Sequence, residues 1–461
     1  MTIEIDMKTL AAVFAAGWFV GPAIAQDTRK VVEPSIPPAC ATLYAKIGRA
    51  ATSIALGDEG KLDTARIQAA LDACPAGRAV VLERASERND AFLSGPLQLR
   101  RGVALVLARG AYLYASRNPR DYDLRPGVCG TITQEGHGCQ ALINGDGVPG
   151  AAVMGDGVID GRGGETILGQ NISWWNLADM ARAGGSQNNP RLIELRRCDN
   201  FTLYRITLMN SPNFHVGYND GNGFTAWGVK IWSPERARNT DGIDPGNSTN
   251  VTITHCYIHT GDDQVAIKAP LGAPTSHMSI VHNHFYTGHG MSIGSLTAGG
   301  ASAIRVSDLS IDGADNGLRI KSNITRGGLV RDVVYEDVCI RDTANPILMD
   351  TTYSAHASKQ DSLPPVFRDI TLRNVRVEGG GKVTLEGLDR THRLGIRFDD
   401  VVFDDPAGIV VSAKHADVSI GPGPFNLNVA GTDVMVSGHG GNGGNGINNA
   451  CTGRFVAFPL R

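Results

Sequence analysis

Beyond residue 25 the chain has no apolar run long enough to span a bilayer, which excludes an internal transmembrane helix. It also lacks a basic run of the kind that tracks a phosphate backbone. Its 43 basic and 46 acidic residues leave a net charge of −3, so nucleic acid is not an expected partner. No two cysteines stand at Cys-x-x-Cys spacing, so no metal site of that kind is expected. Leu-x-x-Leu-x-Leu frames are missing as well, which argues against a leucine-rich repeat.

What the chain has in excess is glycine, 57 in 461 residues, against a usual share of roughly 7%, and a repeat. Apolar residues at positions 1, 3, 6 and 8 of a frame occur at Phe201-Leu203-Ile206-Leu208 and at Phe224-Ala226-Val229-Ile231. The frame continues at Val251-Ile253-Cys256-Ile258, at Met278-Ile280-(Asn283)-Phe285 and at Ile304-Val306-Leu309-Ile311, with further copies from Val333, Ile370 and Ile396. A fixed period of this size signals a repeat architecture, and alternation within each copy signals strands. One strand set cannot bury its own apolar face, so copies must stack at roughly 4.8 Å. The reading is an all-β, single-stranded parallel β-helix, with glycine supplying positive φ at its corners.

The ends differ from this frame. Thr9 to Ala25 is apolar and ends Ala23-Ile24-Ala25 before Gln26, a small-x-small cleavage pattern, so residues 1–25 read as an export signal and the mature protein as secreted and unanchored. Glu4 and Asp6 are unusual in such a signal, and a start at Met7 would remove both. Residues 26–60 read as an N-terminal extension, 61–436 as the solenoid and 437–461 as a Gly-rich mobile tail (Gly438 to Asn449 is GHGGNGGNGINN). Asp63 to Cys74 reads as a short amphipathic helix with Asp63 as N-cap, covering the first coil. In an exported chain, Cys40 with Cys74 and Cys129 with Cys139 are expected to pair. Cys198, Cys256, Cys339 and Cys451 show no obvious partner.

Four motifs between residues 239 and 321 carry the chemistry: Asn239-Thr240-Asp241-Gly242, Gly261-Asp262-Asp263, Gly288-His289-Gly290 and Arg319-Ile320-Lys321. Each alone is an ordinary turn or strand end. Their phase is informative. Asp241, Asp263 and His289 each stand two residues before an apolar residue (Ile243, Val265, Met291) that opens a short alternating run, nearly one repeat apart. This stacks carboxylates and an imidazole in one column. Arg319 and Lys321 flank a core-facing Ile320 and are expected to project into solvent one coil beyond His289. A solvated salt-bridge ladder is the bland interpretation. Against it, three crowded carboxylates raise at least one pKa, which is the condition for a general acid. Glycosidic hydrolysis needs one protonated and one ionised carboxyl group, and a guanidinium beside an ammonium suits an anionic sugar.

These motifs, in this order, resemble those of glycoside hydrolase family 28, the polygalacturonases, and in particular the endo-acting enzymes of plant-macerating bacteria. The likeness extends to Asn210-Ser211-Pro212-Asn213-Phe214-His215, to Gly223-Phe224-Thr225-Ala226-Trp227 and to Gly288 to Ser295, over roughly residues 60 to 425. The resemblance implies a right-handed parallel β-helix that hydrolyses α-1,4 bonds of homogalacturonan with inversion. From the carboxylate column hydrolysis is expected to need no metal or cofactor, and the chain is expected to be a monomer. On this chain it implies Asp262 as general acid, Asp241 and Asp263 as activators of water, His289 as support for the acid, and Arg319, Lys321 and Tyr353 as substrate-binding residues. Stacking alone puts Asp241 and Asp263 about 5 Å apart, a separation usually read as retaining; the resemblance favours inversion. Exo-acting, rhamnogalacturonan and xylogalacturonan hydrolases are the alternatives within the family. A Ca²⁺-dependent pectate lyase, with the three aspartates as ligands, and a non-catalytic sugar-binding solenoid are the alternatives outside it.

Overall fold

Each sequence repeat becomes one coil of a parallel β-helix. Its strands belong to a single 31-stranded sheet whose pairings run from coil to coil. The computed structural model describes residues 26–354, 362–441 and 451–459, so the export-signal segment and most of the Gly-rich stretch lie outside the described residues. The repeat frame holds residue for residue. Phe201, Phe224, Val251, Met278, Ile304, Val333, Ile370 and Ile396 pair in that order. So do the position-8 residues from Leu208 to Phe403. All sixteen are at most 3% exposed. Burying each such side chain stabilises the coil by about 1.5–3 kcal/mol, and identical columns make that stabilisation repeat along the axis.

The corner at position 5 differs from expectation. Glycine fills it only at Gly228. Arg205, His255, His282, Asp308, Asp337, Asn374 and Asp400 hold the left-handed conformation there, with φ between +50° and +63°. Asp, Asn and His tolerate this region better than most side chains. Asn283, the one polar residue in the position-6 column, is fully buried. Its Oδ1 accepts from the Cys256 N–H at 2.9 Å, and its Nδ2 donates to the Ile253 carbonyl at 2.9 Å. It thus satisfies backbone groups on both sides of the left-handed corner at His255 in the coil below.

After position 8 the chain turns and enters the strands that carry the site: Val216–Asn219, Ile243–Gly246, Val265–Ile267, Met291–Gly294, Asn316–Lys321 and Asn345–Asp350. Val216, Ile243, Val265, Met291, Leu318 and Ile347 stack inward along them. Helix α1 (Thr64–Ala73) caps the first coil through the fully buried Ile67 and Leu71. Asp63 holds the N-cap position, but its carboxylate makes no cap and pairs with Arg66 at 2.6 Å instead. A second helix, α2 (Trp174–Met180), was not expected; Ser173 and Asn176 close it with a capping box.

Cys40–Cys74 and Cys129–Cys139 are bonded, as expected. A third disulfide, Cys339–Cys451, was missed. Cys339 stands opposite Ser310 at the outward-facing position 7, where residues 451–459 cover it. This segment is therefore no free tail. Arg454 pairs with Asp308 at 2.5 Å, and Phe458 packs edge-on against Tyr286. Cys198 and Cys256 are buried free thiols. The N-terminal extension likewise lies along the coils, with Asp27 bonded to Thr252 and Ser279. Among the described residues, no helix is long and apolar enough to cross a membrane.

Candidate active site

The site grows from three stacked turns that precede the third set of strands. Asn239 is left-handed (φ 57°) and turns the chain into Thr240-Asp241. The Thr240 hydroxyl donates to the Ala237 carbonyl at 2.6 Å and accepts from the Gly261 N–H of the next coil at 3.0 Å. Gly242 follows because a Cβ there would collide with the Gln264 carbonyl. Gln264 links the next pair of turns, accepting from the Gly290 N–H at 2.5 Å and donating to the Tyr286 carbonyl. The His289 N–H donates to the Asp262 carbonyl at 2.9 Å. The Asn-Thr-Asp-Gly, Gly-Asp-Asp and Gly-His-Gly motifs are thus successive turns bonded to one another.

The side chains converge as the phase predicts. Asp262 Oδ1 lies 3.1 Å from His289 Nδ1, and His289 Nε2 lies 3.4 Å from the exposed Asp315. Asp263 accepts from Lys321 Nζ at 2.7 Å, Arg319 Nη1 at 3.1 Å and Ser292 Oγ at 2.7 Å. Tyr353 sits with its ring centroid 5.2 Å from both the Arg319 guanidinium and the Lys321 ammonium. Ile320 faces the core, so Arg319 and Lys321 do point outward. They are nevertheless not solvated: Arg319 is 7% and Lys321 5% exposed. In register, Ser292 lies beneath Arg319 and Gly294 beneath Lys321. These small residues let both cations reach down past the intervening coil to Asp263. The solvated-ladder alternative fails on the same numbers, because Asp241 and Asp263 are only 4% and 2% exposed.

Sequence reasoning missed a second charged group. Lys268 occupies the same register position as Gly246, Gly294 and Lys321. Its ammonium pairs with Asp244, lies 3.5 Å from Asp241 Oδ2 and sits 4.0 Å from the Phe214 ring centroid. Arg191 covers the same ring at 4.6 Å. The signal was present: Lys268 follows Val265 by three residues, as Lys321 follows Leu318.

The protonation pattern differs from the expected one. Burial, and then the charges of Asp244 and Asp262, push the Asp241 carboxyl well above its ordinary range, against Lys268. Burial likewise lifts Asp244 to about 6, against the same lysine. Burial would raise Asp262 too, but the hydrogen bond and charge of His289, with Lys321 beyond, hold it below the usual carboxylate range. Burial disfavours the His289 imidazolium, yet Asp262 outweighs it and raises that pKa. Crowding does raise a carboxyl group here, but the rise falls on Asp241 and Asp244. Asp262 and His289 hold one proton between them, and it belongs to the pair.

Among the described residues, the group of acids and histidines compact enough to hold a metal is Asp262, Asp263 and His289, with donor atoms within 4.8 Å of one another. Both Asp263 oxygens already accept from Arg319, Lys321 and Ser292. A divalent ion would have to displace two cations to bind there.

A parallel β-helix with three carboxylates converging beside a covered cation pair defines a class of solenoid hydrolases acting on acidic polysaccharides. The chain belongs to glycosyl hydrolases family 28, whose pattern matches residues 125–419. It is 44% identical to an endo-polygalacturonase of Pectobacterium parmentieri, over 80% of this chain and 88% of that one. It is 40% identical to a polygalacturonase of Ralstonia nicotianae, over 93% and 89% of the two chains. The solved polygalacturonase of Erwinia carotovora ssp. carotovora superposes with a TM-score of 0.79 at 41% identity, covering 85% of this chain and 100% of that chain.

Proposed function

We propose that the chain is an exported, monomeric endo-polygalacturonase that hydrolyses α-1,4-galacturonosyl bonds of homogalacturonan with inversion. The observation that carries this reading is the division of labour among the three carboxylates. Asp262 faces His289 across a hydrogen-bond contact, Asp263 is held by Arg319 and Lys321, and Asp241 keeps one buried oxygen, Oδ1, without a protein partner. In this reading the shared proton passes along the 3.1 Å contact to Asp262 and then to the glycosidic oxygen as the C1–O bond breaks. Asp241 and Asp263 orient a water and take its proton as its oxygen bonds to C1 from the opposite face. Arg319, Lys321 and Tyr353 hold the sugar carboxylate on one side of the bond. The endo mode is supported by the relatives named for it, and export by the small-x-small pattern before Gln26.

Product analysis on polygalacturonate in excess chelator tests the reading. A ladder of saturated oligogalacturonides is the expected result. Release of only mono- or digalacturonate would overturn the endo mode, and chelator-sensitive release of unsaturated uronides would overturn the hydrolase itself.

A further inference from the structure

Asp241 is the carboxylate whose environment least suits its proposed task. It must be ionised to take a proton from water, yet it is 4% exposed, and Asp244, Asp262 and Asp263 all push a proton onto it. The groups facing it can be named. Asp244 lies on the strand that follows its turn, Asp262 and Asp263 on the turn of the next coil, and Lys268 just past the end of that coil's strand. Arg191 reaches it only at long range from two coils below, where it pairs with Glu194 at 2.5 Å. The buried His215 ring bonds the Asp241 carbonyl and Ser233, and burial drops its pKa to about 4, so it brings no charge. Lys268 is therefore the cation in ion-pair contact with the Asp241 carboxylate, at 3.5 Å. It is closer still to Asp244, and Asp241 Oδ1 and Asp244 Oδ1 are both buried without a protein partner.

We propose that Lys268, held in place by Asp244, is a positioning residue that keeps Asp241 competent to accept a proton from the attacking water. Two carboxylates share one ammonium, and the division sets how much of its charge Asp241 feels. Phe214 forms the apolar floor beneath the ammonium, which limits competing solvation. This rests on the reading of Asp241 as an activator of water, and the two fail separately.

The test is the pH profile of kcat/KM on polygalacturonate, whose acidic limb reports ionisation of the base in the free enzyme. Lys268→Met removes the cation, so the limb should move to higher pH by about one unit or more, the scale of a close opposite charge. Asp244→Asn removes a like charge and releases Lys268 toward Asp241, so the limb should move to lower pH. Lys268→Arg, which keeps the charge, should return the limb to the wild-type side. The double variant Lys268→Met with Asp244→Asn removes both members of the Lys268–Asp244 pair together. Its limb should lie above that of Asp244→Asn alone, a comparison that stands even if Lys268→Met fails to fold. Limbs that stay in place, or that shift in the same direction in both single variants, would overturn the proposal. So would a raised KM at every pH with an unmoved limb, which would make Lys268 a substrate clamp. Asp241→Asn with wild-type turnover would instead remove the base assignment beneath the proposal.

Discussion

Lys321 places its ammonium 2.7 Å from Asp263 although it lies two coils further along; the contact exists because the coil between presents Gly294 at that register position. The cation that is to recognise a substrate carboxylate thus also holds a carboxylate of the site. Charge-assisted contacts of this kind are worth roughly 1.5 to 3 kcal/mol, or about 10- to 150-fold in kcat/KM. Lys321→Met should lose activity on both de-esterified and methyl-esterified pectin, with the larger loss on the de-esterified form. Wild type should show a strong preference for that form, and the variant a flattened one. Equal loss on both substrates would confine Lys321 to supporting Asp263.

Asp262 is the acid in this account, and no neighbour can deliver its proton to the same oxygen. Asp262→Asn should lower kcat by at least about 10²-fold, the lower end for positioned proton transfer. An amide oxygen can still accept from the Asp263 N–H, as Oδ1 does at 2.9 Å, so circular dichroism should be unchanged. A variant with wild-type turnover would move the acid role elsewhere.

The Asp262–His289 pair is expected to set the alkaline side of the pH profile as well. His289 is raised above its ordinary value and Asp262 lowered. The protonated pair therefore persists between those two limits and is lost as pH rises through the histidine's raised value. In His289→Gln the proton would reside on Asp262 alone, so the alkaline limb of kcat/KM should move to lower pH and kcat should fall. An unmoved alkaline limb would show that the pair does not hold the catalytic proton.

Cys339–Cys451 joins residues 112 apart in sequence and anchors the C-terminal segment. Disulfides typically contribute about 2–4 kcal/mol. Cys451→Ser should lower the unfolding midpoint while leaving kcat at moderate temperature intact, since neither cysteine belongs to the site. Coincident melting curves for variant and wild type would contradict the structural role of this bond.

The sequence disclosed what is periodic. Columns from Phe201 to Ile396, and the common phase of Asp241, Asp263 and His289, follow from a spacing that any reader can count, because stacking repeats the same contact. What escaped has no period. Phe458 meets Tyr286, and Cys451 meets Cys339, through a single return of the chain that no frame anticipates. The burial of Arg319 and Lys321 depends on the smallness of Ser292 and Gly294 one coil away, a cross-coil relation visible only in register. The proton's location depends on how deeply Asp241 is buried and on Lys268, neither of which a count of charges supplies. Lys268 itself was within reach, since it shares the register position of Lys321.

In the proposed reaction these carboxylates direct water at the anomeric carbon from the face opposite the leaving oxygen. Proton NMR of oligogalacturonide cleavage in excess chelator, followed from the first turnovers, reads this stereochemistry. The new reducing end should appear first as the β-anomer and equilibrate later, with no unsaturated uronide signal. A first-formed α-anomer, or an unsaturated product, would contradict it.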